Sequence, residues 1–243
     1  MPDKPTARAQ ARIQTNQRIL EVGREHLAKY GAAALSLRAI ARELDLVSSA
    51  VYRYVASRDD LLTMLVVDAY TELAERVSAA HNSAPHDHPR EQIRRSCLAF
   101  HDWAVAEPAR YALLYGSPVP GYQAPAERTT EPGTRVVALL MRTIADAAGS
   151  GRLTAPASPI DSGVDAVFDG IRKEFGLDLD DRHLHSAIAL WAGIVGLTSL
   201  EVFGQFGVES PTDMQRLFAL QVDGLLDRIG LMPSPPAHPV RSA

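Results

Sequence analysis

SLRAIARELDLVSSAVYRYVASR, residues 36–58, carries the most specific local pattern in the chain. It divides into two short helical patterns joined by a tight turn, the second ending in Tyr52-Arg53-Tyr54. Ser36 is a good N-cap for a first helix of Leu37 to Leu44, and a second helix spans Ser48 to Tyr54. Helices that cross closely need a small residue at the crossing, and Ala41 supplies it. The turn that follows needs a left-handed backbone. Asp45 stands there, and aspartate tolerates that region better than most side chains. Leu37, Ile40, Leu44, Leu46 and Val51 can then form a small shared core. This is the plan of a helix-turn-helix, which lays its second helix in the major groove of duplex DNA.

On that plan the remaining side chains face outward, and each has a job it can do. Ser48 and Ser49, at the start of the second helix, can bond phosphates or base edges. Arg53 can read guanine or clamp a phosphate. Tyr52 and Tyr54 can set ring faces near sugars or thymine methyls and donate their hydroxyls to phosphate, although one of the two is also a candidate for partial burial. Ser36 and Arg38 can grip the flanking backbone, and Arg58 is a further phosphate candidate. A plain solvated helical hairpin is the alternative that residues 36–47 alone leave open. Tyr-Arg-Tyr followed by Ser57-Arg58-Asp59-Asp60-Leu61 adds specificity to the DNA-binding reading.

Three pieces then fall in order. They are Ser36-Leu37-Arg38-Ala39-Ile40-Ala41, Ser49-Ala50-Val51-Tyr52-Arg53-Tyr54 and Ser57-Arg58-Asp59-Asp60-Leu61-Leu62. Through them residues 12–66 resemble the N-terminal DNA-binding domain of the TetR family of bacterial transcriptional repressors. Asp45 stands where the family mostly has Gly, and Val55 where it often has Phe. The resemblance implies a helical C-terminal domain that binds a small molecule and dimerises. Residues Trp191 to Glu201 look like the C-terminal region of one TetR subgroup. That subgroup often carries His before the second Gly. Val195 stands there, so no role of that His carries over.

Composition agrees with the motif. The 243 residues are 46% hydrophobic and 6% aromatic, with a net charge of −4. Residues 1–58 hold ten Lys/Arg against five Asp/Glu, net +5, while residues 59–243 hold fifteen against twenty-four, net −9. A basic head on an acidic body suits a phosphate-facing module joined to one that does not face phosphate. The single cysteine, Cys97, forms no internal disulfide and reads as core packing. With no signal core and no run of about eighteen apolar residues, the expectation is a cytoplasmic protein without a membrane partner.

Helical patterns dominate, and no period-2 run of β-branched residues stands out, so the expectation is all-α. Residues 1–11 are expected to be a disordered arm, 12–57 a three-helix helix-turn-helix domain, 58–231 a helical ligand-binding and dimerisation domain, and 232–243 a disordered tail. Helices are expected at about Arg12–Tyr30, Arg58–Ala80, Arg90–Glu107, Tyr111–Tyr115, Glu131–Ala148, Asp161–Phe175, Asp180–Phe206 and Pro211–Gly230. Gly31 reads as a C-terminal stop. Asp59 and Asp60 sit in the first turn of the long helix, where its dipole favours them.

In the body, Phe100, His101, Trp103, Tyr111, Tyr115, Met141 and Phe168 are candidates to line a pocket for an unknown, largely apolar small-molecule effector, with core packing the competing role for each. Trp191, Val195, Thr198 and Val202 form one stripe, and Leu217, Leu220 and Gly224 another. These are the candidate interface of a homodimer, with ordinary intrachain core as the alternative. His81, His86 and His88 share a polar segment, and His183 and His185 lie close together. Neither set has metal-ligand spacing, so no metal and no cofactor are expected. No phosphate loop or nucleophile motif occurs, which argues against an enzyme. The function expected is a ligand-responsive repressor that binds a palindromic operator on double-stranded DNA and is released by a small molecule. An activator and a ligand-insensitive DNA binder are the alternatives, with an enzyme in the helical body more remote.

Overall fold

The computed structural model of the chain describes residues 6–154, 163–207 and 213–231. Among these residues there are helices and no strands. In order they are α1 (Ala7–Tyr30), a 3-10 turn (Ala32–Ala34), α2 (Leu37–Glu43), α3 (Ser48–Val51), α4 (Arg58–Asn82), α5 (Pro89–Ala106), α6 (Pro108–Tyr115), α7 (Ala126–Gly149), α8 (Asp165–Phe175), α9 (Asp181–Val202) and α10 (Met214–Ile229). The chain divides into two compact units, Met1–Leu73 with Ala106–Gly133, and Ala74–Val105 with Thr134–Ala243. The division therefore falls inside α4 and α7, and not at residue 58 as the sequence suggests. The reason lies in the core of the first unit. Leu61, Leu62 and Leu65 of α4 are buried in the same cluster as Ile19, Leu27, Ile40 and Val51, so the start of α4 is part of the head.

Several boundaries differ from expectation for local reasons. Helix α1 begins at Ala7, because the Thr6 hydroxyl caps it by accepting from the Ala9 N–H at 3.3 Å. The part of the expected disordered arm from Ala7 to Ala11 is thus helical, while residues 1–5 and the expected tail, 232–243, lie outside the described residues. Helix α7 starts at Ala126, ahead of the expected Glu131, and runs through Pro132, a residue that favours a first helical turn. Helix α9 ends at Val202 through a left-handed Gly204 at φ 67°, with the Gln205 N–H reaching Leu200 O at 2.8 Å. His81, expected in a loop, is inside α4 and buried, with Nε2 2.9 Å from Thr143 Oγ1. The expected starts of α8 at Asp161 and α10 at Pro211 lie outside the described residues.

In the first unit, a web of ion pairs ties α1, α4 and α6. Arg24 donates to Asp68 at 2.8 Å, and the buried Arg110 donates to Asp68 at 3.0 Å and to Glu72 at 2.6 Å. In the second unit, α5 is tied to the last two helices. Arg90 and Arg94 reach Asp227 and Asp223 at 2.7 and 3.0 Å, and the His101 Nε2 lies 2.7 Å from Glu201. Helices α9 and α10 approach closely at Gly193, where a Cβ would sit 2.7 Å from Leu225 Cδ1. Cys97 is fully buried in this unit, and burial pushes its thiol pKa well up.

Candidate nucleic-acid interface

The turn between α2 and α3 has the geometry its sequence calls for. Asp45 has φ 54°, the one positive φ on a non-glycine residue among the described residues. The Leu46 N–H donates to Ala41 O at 2.8 Å and the Asp45 N–H to Arg42 O at 3.2 Å. These are the two bonds of a Schellman motif, which satisfies the last carbonyls of α2 and turns the chain into α3. Ala41 is fully buried, as a close crossing requires, and Leu37, Ile40, Leu44 and Val51 are buried around it. Helix α3 is shorter than expected. After Val51 the bonds tighten, with the Tyr54 N–H reaching Val51 O at 2.9 Å, so Tyr52 to Tyr54 lie in a turn.

The outward-facing candidates separate into distinct groups. Arg38, Ser49, Tyr52 and Arg53 are exposed, and Tyr52 keeps 49% of its surface open. Tyr54 is half-buried against the head core, so it is the tyrosine that shares its role with packing. Ser36 is half-buried, and its hydroxyl caps α2 by accepting from the Ala39 N–H at 3.4 Å. The side chain of Ser48 lies outside the described residues. Arg58 is half-buried and already has partners in the head. Its guanidinium donates to Ala32 O at 3.1 Å and Ala33 O at 3.3 Å and pairs with Asp59, so it fastens the 3-10 turn to the start of α4.

The start of α4 is also fixed electrostatically. Ser57 caps it by accepting from the Asp60 N–H at 3.0 Å. The Asp60 carboxylate accepts from the Ala56 N–H at 3.0 Å and from Arg128 at 2.6 Å. Burial works against this carboxylate, but the bonds from Arg128 and Ala56 prevail and hold its pKa below the usual value.

One part of the surface carries residues absent from the sequence-derived candidates. Arg8, Ala11 and Arg12 of α1, with Arg53 and Tyr54, line a cleft of about 270 Å³ in the first unit. The spacing of Arg8 and Arg12, one helical turn apart, is the signal that could have found them. It has meaning only once residues 7–11 are helical, and the sequence suggests disorder there.

The pocket candidates fall in both units. Tyr111 and Tyr115 belong to the first, stacked obliquely with centroids 5.1 Å apart. Phe100, His101, Trp103, Met141 and Phe168 belong to the second, and all five are buried. Phe100 packs edge-on against Trp191, and His101 stacks on Phe218 at 4.2 Å, so both turn towards the last two helices. A separate polar cavity of about 320 Å³ in the second unit is lined by His81, His86, Gln92, Thr143, Asp146 and Arg152, among others.

The dimer candidates are also sorted. Thr198 is fully buried within its own unit, and Trp191, Val195 and Val202 are half-buried. The exposed line along α9 lies beside that stripe, at Ala189, Ala192, Gly196 and Leu200. On α10, Leu217, Leu220 and Gly224 are exposed, Leu220 to 63%. A Cβ at Gly196 or Gly224 would meet nothing within 4 Å. Helix α9 is long and apolar enough by length and composition to cross a membrane, yet only 22% of that apolar window is buried.

Comparison with known proteins agrees with this geometry. Residues 19–65 match the family described as bacterial regulatory proteins, tetR family, and residues 93–225 match the tetracyclin repressor-like C-terminal domain. The chain is 50% identical over 216 residues to the HTH-type transcriptional regulator Mb1846 of Mycobacterium bovis, covering 88% of this chain and 92% of that one. The same values hold for the HTH-type transcriptional regulator Rv1816 of Mycobacterium tuberculosis. Among solved structures, SCO4313, described as a regulatory protein, superposes with a TM-score of 0.72 at 34% identity, over 91% of this chain and 100% of the other.

Proposed function

The chain belongs to the TetR family of bacterial transcriptional regulators, and we propose that within it this protein is a ligand-responsive repressor acting as a homodimer on a two-fold symmetric operator. The observation that carries the DNA-reading surface is the sorting of the head. Leu37, Ile40, Ala41, Leu44 and Val51 turn inward, while Arg38, Ser49, Tyr52 and Arg53, together with Val47 in the turn, stay exposed. In this reading Tyr52 contacts base edges and sugars, Arg53 clamps the phosphate beside them, and Arg38 and Ser49 hold further phosphates. Ser36 acts mainly through the cap, and Ser48 is retained as a phosphate contact on its position alone.

The homodimer reading is supported by α9 and α10. They carry exposed apolar side chains at Leu200, Leu217 and Leu220, with small residues Gly196 and Gly224 on the same helices. Helices from two copies packed along these lines would bury them. The effector is a small, largely apolar molecule bound in the helical body, which suits the apolar side chains of Phe100, Trp103, Met141 and Phe168. Helix α4 is the covalent link by which its binding would alter the spacing of two heads, and heads at the wrong spacing cannot both enter successive major grooves. The protein works in the cytoplasm, where the bacterial chromosome lies.

Selection of duplexes from a random-sequence pool tests the reading. The enriched sequence should contain two inverted half-sites about 10–10.5 bp apart, or a multiple of that spacing. No enrichment by a folded dimer would overturn it.

A further inference from the structure

We infer that the first turns of α1 form a DNA-phosphate site, in which Arg8 and Arg12 share a backbone phosphate group with Arg53 and Tyr54. This inference rests on the head being a DNA reader, and it adds an element outside the helix-turn-helix to the interface. The cleft of about 270 Å³ is lined by three arginines, one tyrosine and one alanine, and by no carboxylate. Ala11, between the two α1 arginines in sequence, adds only a methyl group to the lining. Arg8, Arg12 and Arg53 are exposed, and none of them pairs with a carboxylate of a described residue.

Other arginines of the same unit are placed differently. Arg24 and Arg110 are bound to Asp68, Arg128 to Asp60, and Arg58 to Asp59 and two carbonyls. Arginines are thus paired along α4 and left unpaired in the cleft beside the recognition turn. Three like charges around one concavity repel each other unless an anion joins them. Planar guanidiniums with several fixed donors suit phosphate oxygens, and the Tyr54 hydroxyl adds a donor at the same cleft. The position of Arg53 fixes which anion this is, because the same side chain stands at the DNA-reading surface. A phosphodiester flanking the contacted bases fits that requirement, and it carries no sequence information.

The test is fluorescence anisotropy with two probes, the pool-selected duplex and a duplex of mixed sequence, from roughly 50 to 200 mM salt. The variant is Arg8→Gln/Arg12→Gln, which keeps side-chain length and good helix formers at both positions. Its slope of log K against log salt should flatten by about 0.9 for each phosphate that is no longer neutralised. Affinity should fall by a similar factor on both probes, and Arg8→Lys/Arg12→Lys should restore most of it. A wild-type slope and affinity in the Gln variant, with circular dichroism unchanged, would overturn the site. A loss of affinity confined to the selected duplex would overturn it also, since that is base reading. Absence of any binding by the wild-type protein would instead strike at the DNA-reading head itself.

Discussion

Arg110 of α6 and Asp68 of α4 meet at 3.0 Å, and the same carboxylate accepts from Arg24 of α1 at 2.8 Å. One side chain therefore joins three helices of the head unit. Arg110 is 4% exposed, so its charge depends on these partners in place of water. Asp68→Asn removes the shared anion but leaves Glu72 to hold Arg110. The expected cost is about 2 kcal/mol, below the full penalty for an unpaired buried charge. Thermal unfolding should shift down by roughly 4–8 °C for a chain of this size. An unchanged midpoint would show that the web is not a structural junction.

The left-handed Asp45 gives a prediction of opposite sign. A side chain with Cβ at φ 54° carries a strain that glycine lacks, although aspartate bears it better than most residues. Asp45→Gly should stabilise the head by about 1 kcal/mol and leave DNA affinity unchanged, whereas Asp45→Val should destabilise it. Thermal melts of the two variants check the order.

Leu220 tests the proposed dimer. It is the most exposed residue among the apolar candidates on α10, so a charge there costs an isolated subunit little. Leu220→Glu should leave helicity intact and shift the sedimentation mass from dimer to monomer. Ile194→Ala on α9, buried within one subunit, should instead lower thermal stability with little effect on mass.

Acid should weaken the fold through two aspartates. Burial opposes ionisation of Asp180, but the backbone and ring of His183 prevail and hold its carboxyl below the usual range, as Arg128 and Ala56 do for Asp60. A carboxyl depressed in the folded state contributes stability that is fully present above its unfolded pKa of about 3.9 and lost as pH falls through the folded value. Melting temperature should therefore drop below about pH 4 from this source. Asp60→Asn should make that acid limb shallower. An acid limb as steep as wild type would remove Asp60 from the account.

Much of the head is legible in the sequence because its signals are local. Ser36 caps the helix it precedes, Gly31 stops α1, and Asp45 takes up the left-handed turn, each within a few residues of its partners. Arg58 shows where this ends. Its acceptors, Ala32 and Ala33, lie some two dozen residues back and only the folded head brings them near. The phase of α9 is hidden for a different reason. A helix apolar on most sides has a weak amphipathic signal, so the sequence suggests an outward Thr198 where the structure turns it in. The pocket candidates rest on residue type, and residue type does not distinguish a core from a cavity.

The exposed face around Tyr52 and Arg53 is the surface proposed to read DNA. Fluorescence anisotropy on the pool-selected duplex, with Tyr52→Ala and Arg53→Ala beside the wild type, tests that role most directly. Each variant should keep its fold and oligomeric mass and lose about 1–3 kcal/mol of binding, roughly five- to over a hundredfold in affinity. Wild-type affinity in both variants would contradict it.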